Sequence, residues 1–170
     1  GLVGYWTFDG QNTAWTSPTA GKTNDLSGSY ATGTLTSMSR SKSPAPGVSG
    51  QGFKFDGVND YVRIITAPTV VSPFSMVFWF YPTKFNTTQG LFKFSLTNPA
   101  YGISFTTANM IEIDFYSAGS FRTWCNKTFT ASDLNKWWHL VVIINSTTDA
   151  SQWKCYLNNV DIGVTGSDSS

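Results

Sequence analysis

No stretch of this chain sustains the 3.6-residue apolar period of an amphipathic helix; short alternating segments, parted by Gly, Pro, Asn and Ser, recur from end to end. A period of two confines such segments to β-strands with one buried and one outward face. Residues 50–56 set Phe53 and Phe55 against Gln51 and Lys54, and residues 110–116 set Ile111, Ile113 and Phe115 against Glu112, Asp114 and Tyr116. Residues 74–81 and 137–144 are apolar on both faces, which predicts central strands packed between a second sheet and overlying loops. The expected architecture is an all-β antiparallel sandwich of about a dozen strands. Residues 32–49, rich in Ser, Gly and Pro with Arg40 and Lys42 at the centre, read as a surface loop inside a single domain spanning residues 1–170.

A domain of 170 residues buries enough surface to fold without an obligatory metal or disulfide. Charged residues make up 12% of the chain, against about 25% in an ordinary soluble domain. Aromatics reach 16%, and about a quarter of the residues are Ser or Thr. The surface must therefore be built of hydroxyls, amides and glycines, a coat that suits a secreted all-β protein. The net charge is +1 and the 11 basic residues are scattered, so no stripe exists to neutralise a phosphate backbone and no nucleic-acid partner is expected. The longest apolar stretches, residues 76–81 and 140–144, fall far short of the roughly 20 residues that cross a bilayer, so no membrane insertion by this segment is expected. The chain begins with Gly, as expected of a processed or excised segment.

Cys125 and Cys155 are the two cysteines, with no further Cys or His near enough in sequence to complete a zinc site. A disulfide is expected, with two unrelated buried thiols as the alternative; closing that loop would add roughly 3–4 kcal/mol and place the protein in an oxidising compartment. Sequons begin at Asn86, Asn126 and Asn145, about the number a chain this rich in Ser and Thr holds by chance.

Asp56-Gly57-Val58-Asn59-Asp60-Tyr61-Val62 reads as an Asp/Gly/Asn turn leading from one strand into another. Gly4-Tyr5-Trp6-Thr7-Phe8-Asp9 and Asp25-Leu26-Ser27-Gly28 precede it; Phe74-Ser75-Met76-Val77-Phe78-Trp79, Trp138-His139-Leu140-Val141-Val142 and Cys155-Tyr156-Leu157-Asn158-Asn159 follow. Six short motifs in this order resemble a laminin G-like domain of the concanavalin A-like lectin and glucanase superfamily, across nearly the whole chain. The resemblance implies a jelly-roll sandwich with a strand near residues 4–8, and an extracellular or cell-surface setting. It also implies C-terminal strands beyond Cys155-Asn158 that the tail from Val160 to Ser170 does not visibly supply, so the domain is expected to lack them, or to take one from a partner chain.

The superfamily's glucanases carry Glu-x-Asp-x-Glu on one strand, and Glu112-Ile113-Asp114 matches its first half. Tyr116 and Ser117 follow, however, and Glu112 is the only glutamate in the chain, so the second carboxylate that glycoside hydrolysis needs is missing from the pattern. His139, the sole histidine, lies in the most apolar strand and reads as a strand residue rather than a catalytic base. Calcium has a physical case: Asp9 and Asp25 match acidic positions of relatives, and Asn59 with Asp60 form a second candidate cluster. Of the seven tryptophans, Trp6, Trp79 and Trp138 are expected inside; Trp15, Trp124, Trp137 and Trp153 are freer to face solvent. Trp15 and Trp124, the latter with Tyr116, are the candidates for stacking on a sugar ring. The expected function is a non-catalytic recognition or adhesion module that binds a glycan or an extracellular protein, with calcium as a possible aid. A self-assembling subunit of an extracellular filament or surface assembly is the alternative, and a glucanase the third.

Overall fold

The computed structural model describes residues 1–64, 72–94, 100–116, 120–146 and 149–169, with the backbone alone at Phe94, Ala100, Tyr116, Ser120, Phe121 and residues 167–169. The fold is all-β; three single-turn 3-10 segments are the only helical turns among the described residues. The chain divides into two compact units, Gly1–Val70 and Val71–Ser170.

The first unit holds β1 (Thr13–Ser17), β2 (Ala20–Thr23), β3 (Gly33–Thr36), β4 (Pro44–Pro46), β5 (Gln51–Phe53) and β6 (Tyr61–Ile64). β1, β2, β3 and β6 form one antiparallel sheet in that order, and β4 pairs with β5 as a separate ribbon. Residues 32–49 are thus not a plain loop: they supply β3, whose Leu35 is buried, and β4, and they bury Met38. The prolines of β4 are tolerated because the ribbon bonds on one side only. Residues 4–8, expected as a strand, form none. They are instead an extended strap tied down by Asp25: the Tyr5 N–H donates to Asp25 Oδ1 at 2.8 Å, and the Leu26 N–H donates back to the Tyr5 carbonyl at 2.8 Å. The turn at residues 56–60 is organised by a single carboxylate. Asp56 Oδ1 accepts the N–H groups of Val58, Asn59 and Asp60, while Asp60 Oδ2 accepts the Asp56 N–H. The strands on its two sides enter different sheets, β5 beside β4 and β6 beside β3.

The second unit is a two-sheet sandwich. Its strands are β7 (Phe74–Phe80), β8 (Gln89–Phe94), β9 (Ala100–Phe105), β10 (Met110–Tyr116), β11 (Ser120–Thr128), β12 (Trp138–Ile144), β13 (Lys154–Leu157), β14 (Val160–Asp161) and β15 (Val164–Ser169). One sheet has the order β15-β11-β10-β9-β8, the other β14-β13-β12-β7. The tail that sequence alone left without a strand forms β15, antiparallel to β11, with Thr165 opposite Trp124.

The core lies between these sheets. Ile103, Phe105, Ile111, Ile113 and Phe115 come from one, Leu140, Val142, Ile144 and Leu157 from the other, and Phe80, Phe85, Phe129 and Trp153 complete it. Phe129 is the hub of the aromatic cluster, with ring centroids 5.1 Å from Phe105, 5.6 Å from Phe85 and 5.4 Å from Trp138. Two tryptophans reverse their expected places. Trp153 is 2% exposed and donates its indole N–H to the Ser146 carbonyl at 2.7 Å, whereas Trp79 is 50% exposed and lies over His139 at 4.7 Å. The pleat explains Trp79: Met76, Phe78 and Phe80 of β7 take the core side, so Val77 and Trp79 must point outward.

The disulfide expected between Cys125 and Cys155 is present, with Cα atoms 5.7 Å apart. It links β11 of one sheet to β13 of the other across a core in which both sulfurs are fully buried. Replacing both cysteines with Ala should lower the unfolding free energy by about 2–5 kcal/mol, read from the denaturant midpoint; an unchanged midpoint would show that the sheets are held by packing alone.

Candidate functional site

β10 carries the site on the face opposite the core. Because Ile111, Ile113 and Phe115 are buried, Glu112 and Asp114 project from the other side of the same strand. The β10–β11 hairpin sets Trp124 opposite Glu112 and Arg122 opposite Asp114. The result is a four-residue cluster. Trp124 Nε1 donates to Glu112 Oε2 at 3.1 Å, and Arg122 Nε lies 3.5 Å from both Glu112 Oε1 and Asp114 Oδ1. Asp114 Oδ1 is buried and accepts no hydrogen bond, so its contact with Arg122 is charge attraction without hydrogen-bond alignment. Two glycines shape the cluster. A Cβ at Gly102 on β9 would meet Asp114 Oδ2 at 3.0 Å, and the backbone of Gly166, at φ +82°, lets the Trp124 indole lie against β15.

Beside the cluster an open groove of about 550 Å³ is lined by Thr106, Ala108, Met110, Glu112, Trp124, Thr165 and Gly166. It offers one aromatic surface, two hydroxyls and a carboxylate. Burial pushes the Glu112 carboxyl above its ordinary value, the neighbouring Asp114 carboxylate adds to the rise, and Arg122 and the Trp124 N–H oppose it.

The other candidates lie elsewhere. Trp15 belongs to the first unit, half-buried with its ring edge-on to Phe53 at 6.4 Å, beside an open depression of about 450 Å³ that includes Arg40 and Ser41. Tyr116 follows Asp114 by two on β10, but its side chain lies outside the described residues. Asp9, Asp25, Asn59 and Asp60 do not converge. Both oxygens of Asp25 are occupied by the N–H groups of Tyr5, Ser27 and Ala31 and the Ser27 hydroxyl. Burial works against ionisation of Asp25, yet the donors of Ser27, Tyr5 and Ala31 outweigh it and hold the carboxyl below its usual range. Asp60 is engaged within its own turn, and Asp9 Oδ2 packs against Gly50. Among the described residues no group of three or more His, Cys, Asp or Glu is placed to hold a metal ion. Arg122 and Gly166 are the site residues that sequence reasoning missed. A signal for Arg122 existed in its spacing of two from Trp124.

These features define a class: a disulfide-linked antiparallel sandwich with an aromatic and carboxylate groove on an outward sheet face. The chain belongs to the Laminin_G_3 family of the concanavalin A-like lectin/glucanases superfamily, whose model matches residues 56–169. Its fold is similar to a crystal structure of an S-layer domain-containing protein from Clostridium thermocellum, with a TM-score of 0.60 and 19% identity over 97% of this chain and 72% of that one. No curated protein matches the chain.

The Glu112 carboxyl should titrate above the ordinary glutamate range when followed by carboxyl ¹³C shifts across a pH series. Asp114→Asn should lower its midpoint and Arg122→Ala should raise it further. A midpoint indifferent to both substitutions would mean that the three side chains are not coupled.

Proposed function

We propose that this chain is a non-catalytic recognition module of an extracellular or cell-surface protein, and that it binds a glycan in the Trp124 groove. The carrying observation is the fixed indole. Held by Glu112 on one edge and Gly166 beneath, Trp124 presents a pre-set apolar surface flanked by the acceptors and hydroxyls of Glu112, Thr106 and Thr165. A sugar ring combines apolar C–H patches with O–H donors, and such a floor complements both. The disulfide supports an oxidising compartment. The lone glutamate supports binding over hydrolysis, because no second glutamate exists to act as acid/base partner.

Trp124→Ala should weaken binding to a responsive glycan on an array, and by calorimetry, by roughly tenfold or more, equivalent to about 1.4 kcal/mol. Binding should persist in chelator. Retention of affinity in Trp124→Ala with loss in Trp15→Ala would move the site to the first unit, and silence on every glycan would remove the proposal.

A second reading, a structural subunit of a surface assembly, draws on the outward faces of β7 and β12. Val77 is 58% and Trp79 50% exposed there, beside His139, Val141 and Ile143. The S-layer protein of similar fold makes that setting worth testing. Sedimentation at rising concentration should show oligomers that Trp79→Asp disperses; a concentration-independent monomer would discard this reading.

A further inference from the structure

The three sequons look equivalent in sequence, and the fold separates them. Asn126 lies on β11 between β10 and β15. Its carboxamide oxygen accepts the Thr165 hydroxyl at 2.6 Å, and its Nδ2 sits 3.2 Å from where a Cβ on Gly163 would stand. A sugar on that nitrogen would crowd the β14–β15 connection. Asn145 donates Nδ2, the atom that would carry the sugar, to the Gln152 carbonyl at 2.9 Å.

Asn126 and Asn145 are exposed as Asn86 is, so the surroundings of the carboxamide, not exposure, set Asn86 apart. Asn86 occupies the connection between β7 and β8 in a left-handed conformation, φ 65°, with Thr88 of its sequon also exposed. The backbone there is fixed, because the Asn86 N–H donates to Asn109 Oδ1 at 2.8 Å. Its carboxamide has no hydrogen-bond partner among the described residues. Acceptor nitrogen and hydroxyl residue of the sequon therefore face solvent together on an ordered turn.

We propose that Asn86 is an N-glycosylation acceptor, and that it alone of the three sequons accepts a glycan compatible with this fold. The donor class is an oligosaccharide joined through pyrophosphate to a lipid. Asn86 Nδ2 attacks the anomeric carbon, the N–C bond forms as the C–O bond to pyrophosphate breaks, and the electron pair leaves with the lipid pyrophosphate. The amide gives up one proton, and nothing is oxidised or reduced. Transfer precedes folding, so selectivity rests on which glycan the native structure tolerates. The compartment that closes Cys125–Cys155 is also the one where such transfer occurs. Asn109 belongs to the same β9–β10 connection as Thr106 and Ala108, which line the Trp124 groove. A glycan on Asn86 would stand beside that groove's end.

The test is secretion of the chain from a eukaryotic host, followed by enzymatic release of N-glycans in ¹⁸O-water and peptide mapping. The expected result is one labelled site, Asn86. Thr88→Ala should abolish the label and Thr88→Ser should keep it, which leaves the Asn86 backbone undisturbed where Asn86→Gln would strain a left-handed turn. A secreted chain with its disulfide closed and Asn86 unlabelled overturns the proposal, and so does label on Asn126 or Asn145, or label surviving Thr88→Ala.

Discussion

The pleat of β10 is the constraint on which the second unit depends. Three consecutive inward positions, Ile111, Ile113 and Phe115, form part of the floor of the core, and the two positions between them, Glu112 and Asp114, are thereby committed to the opposite face. Core and groove are two sides of one strand. A slip of one residue in register would bury both carboxylates and expose three large apolar side chains, so the packing energy of the core also fixes the location of the acidic pair. The β10–β11 hairpin extends that commitment to Arg122 and Trp124, and the disulfide from Cys125 anchors the next residue of β11 to the second sheet.

A chain with so few charges places those it has in local arrangements. Arg122 stands between Glu112 and Asp114. Lys127 contacts Asp133 at 3.2 Å and lies about 5 Å from the rings of Phe129 and Trp138, so one ammonium group closes a corner of the sandwich through both a carboxylate and two aromatic faces. Asp133 also accepts the Thr130 N–H at 2.9 Å, which caps the short turn leading into β12. Asp25 and Asp56 act similarly in the first unit, each gathering backbone N–H groups around one carboxylate. Acidic residues that resemble ligand positions in sequence thus serve as turn organisers, since N–H donors close in sequence reach a carboxylate without assembling distant loops.

How far the sequence reveals this depends on the range of the interaction. The alternation of residues 110–116 specifies its own faces, because the pleat is local, and the Cys125–Cys155 bridge follows from there being no other cysteine to choose. The β10–β11 register is also local: antiparallel pairing of residues equidistant in number from position 118 brings Glu112 to Trp124 and Asp114 to Arg122. The outward place of Trp79 is not legible because composition does not say which side of an all-apolar strand meets the second sheet. That choice is made by Leu140, Val142 and the rest of a core assembled from strands far apart in the chain. The strands β3 and β4 hid in a Ser- and Pro-rich stretch because short strands need only a partner, and their partners β2, β6 and β5 lie outside that stretch.

The geometry of the cluster also bears on binding against bond cleavage. Backbone positions two residues apart on one strand are about 6.6–6.8 Å apart, and a hydrolase would keep the carboxylates they carry distinct, one protonated as acid and the other free to act. Here a single guanidinium lies at equal distance from both, and the acceptor oxygen of Glu112 on the far side is bonded to an indole N–H. Each such contact favours the ionised form of Glu112 and fixes its rotamer, while burial and Asp114 favour the proton. The balance leaves a rigid, polar rim whose strongest effect is on Trp124: the indole is held at one angle before any ligand arrives. Rigid aromatic surfaces lose little conformational entropy on binding, and that property serves recognition whether or not chemistry follows.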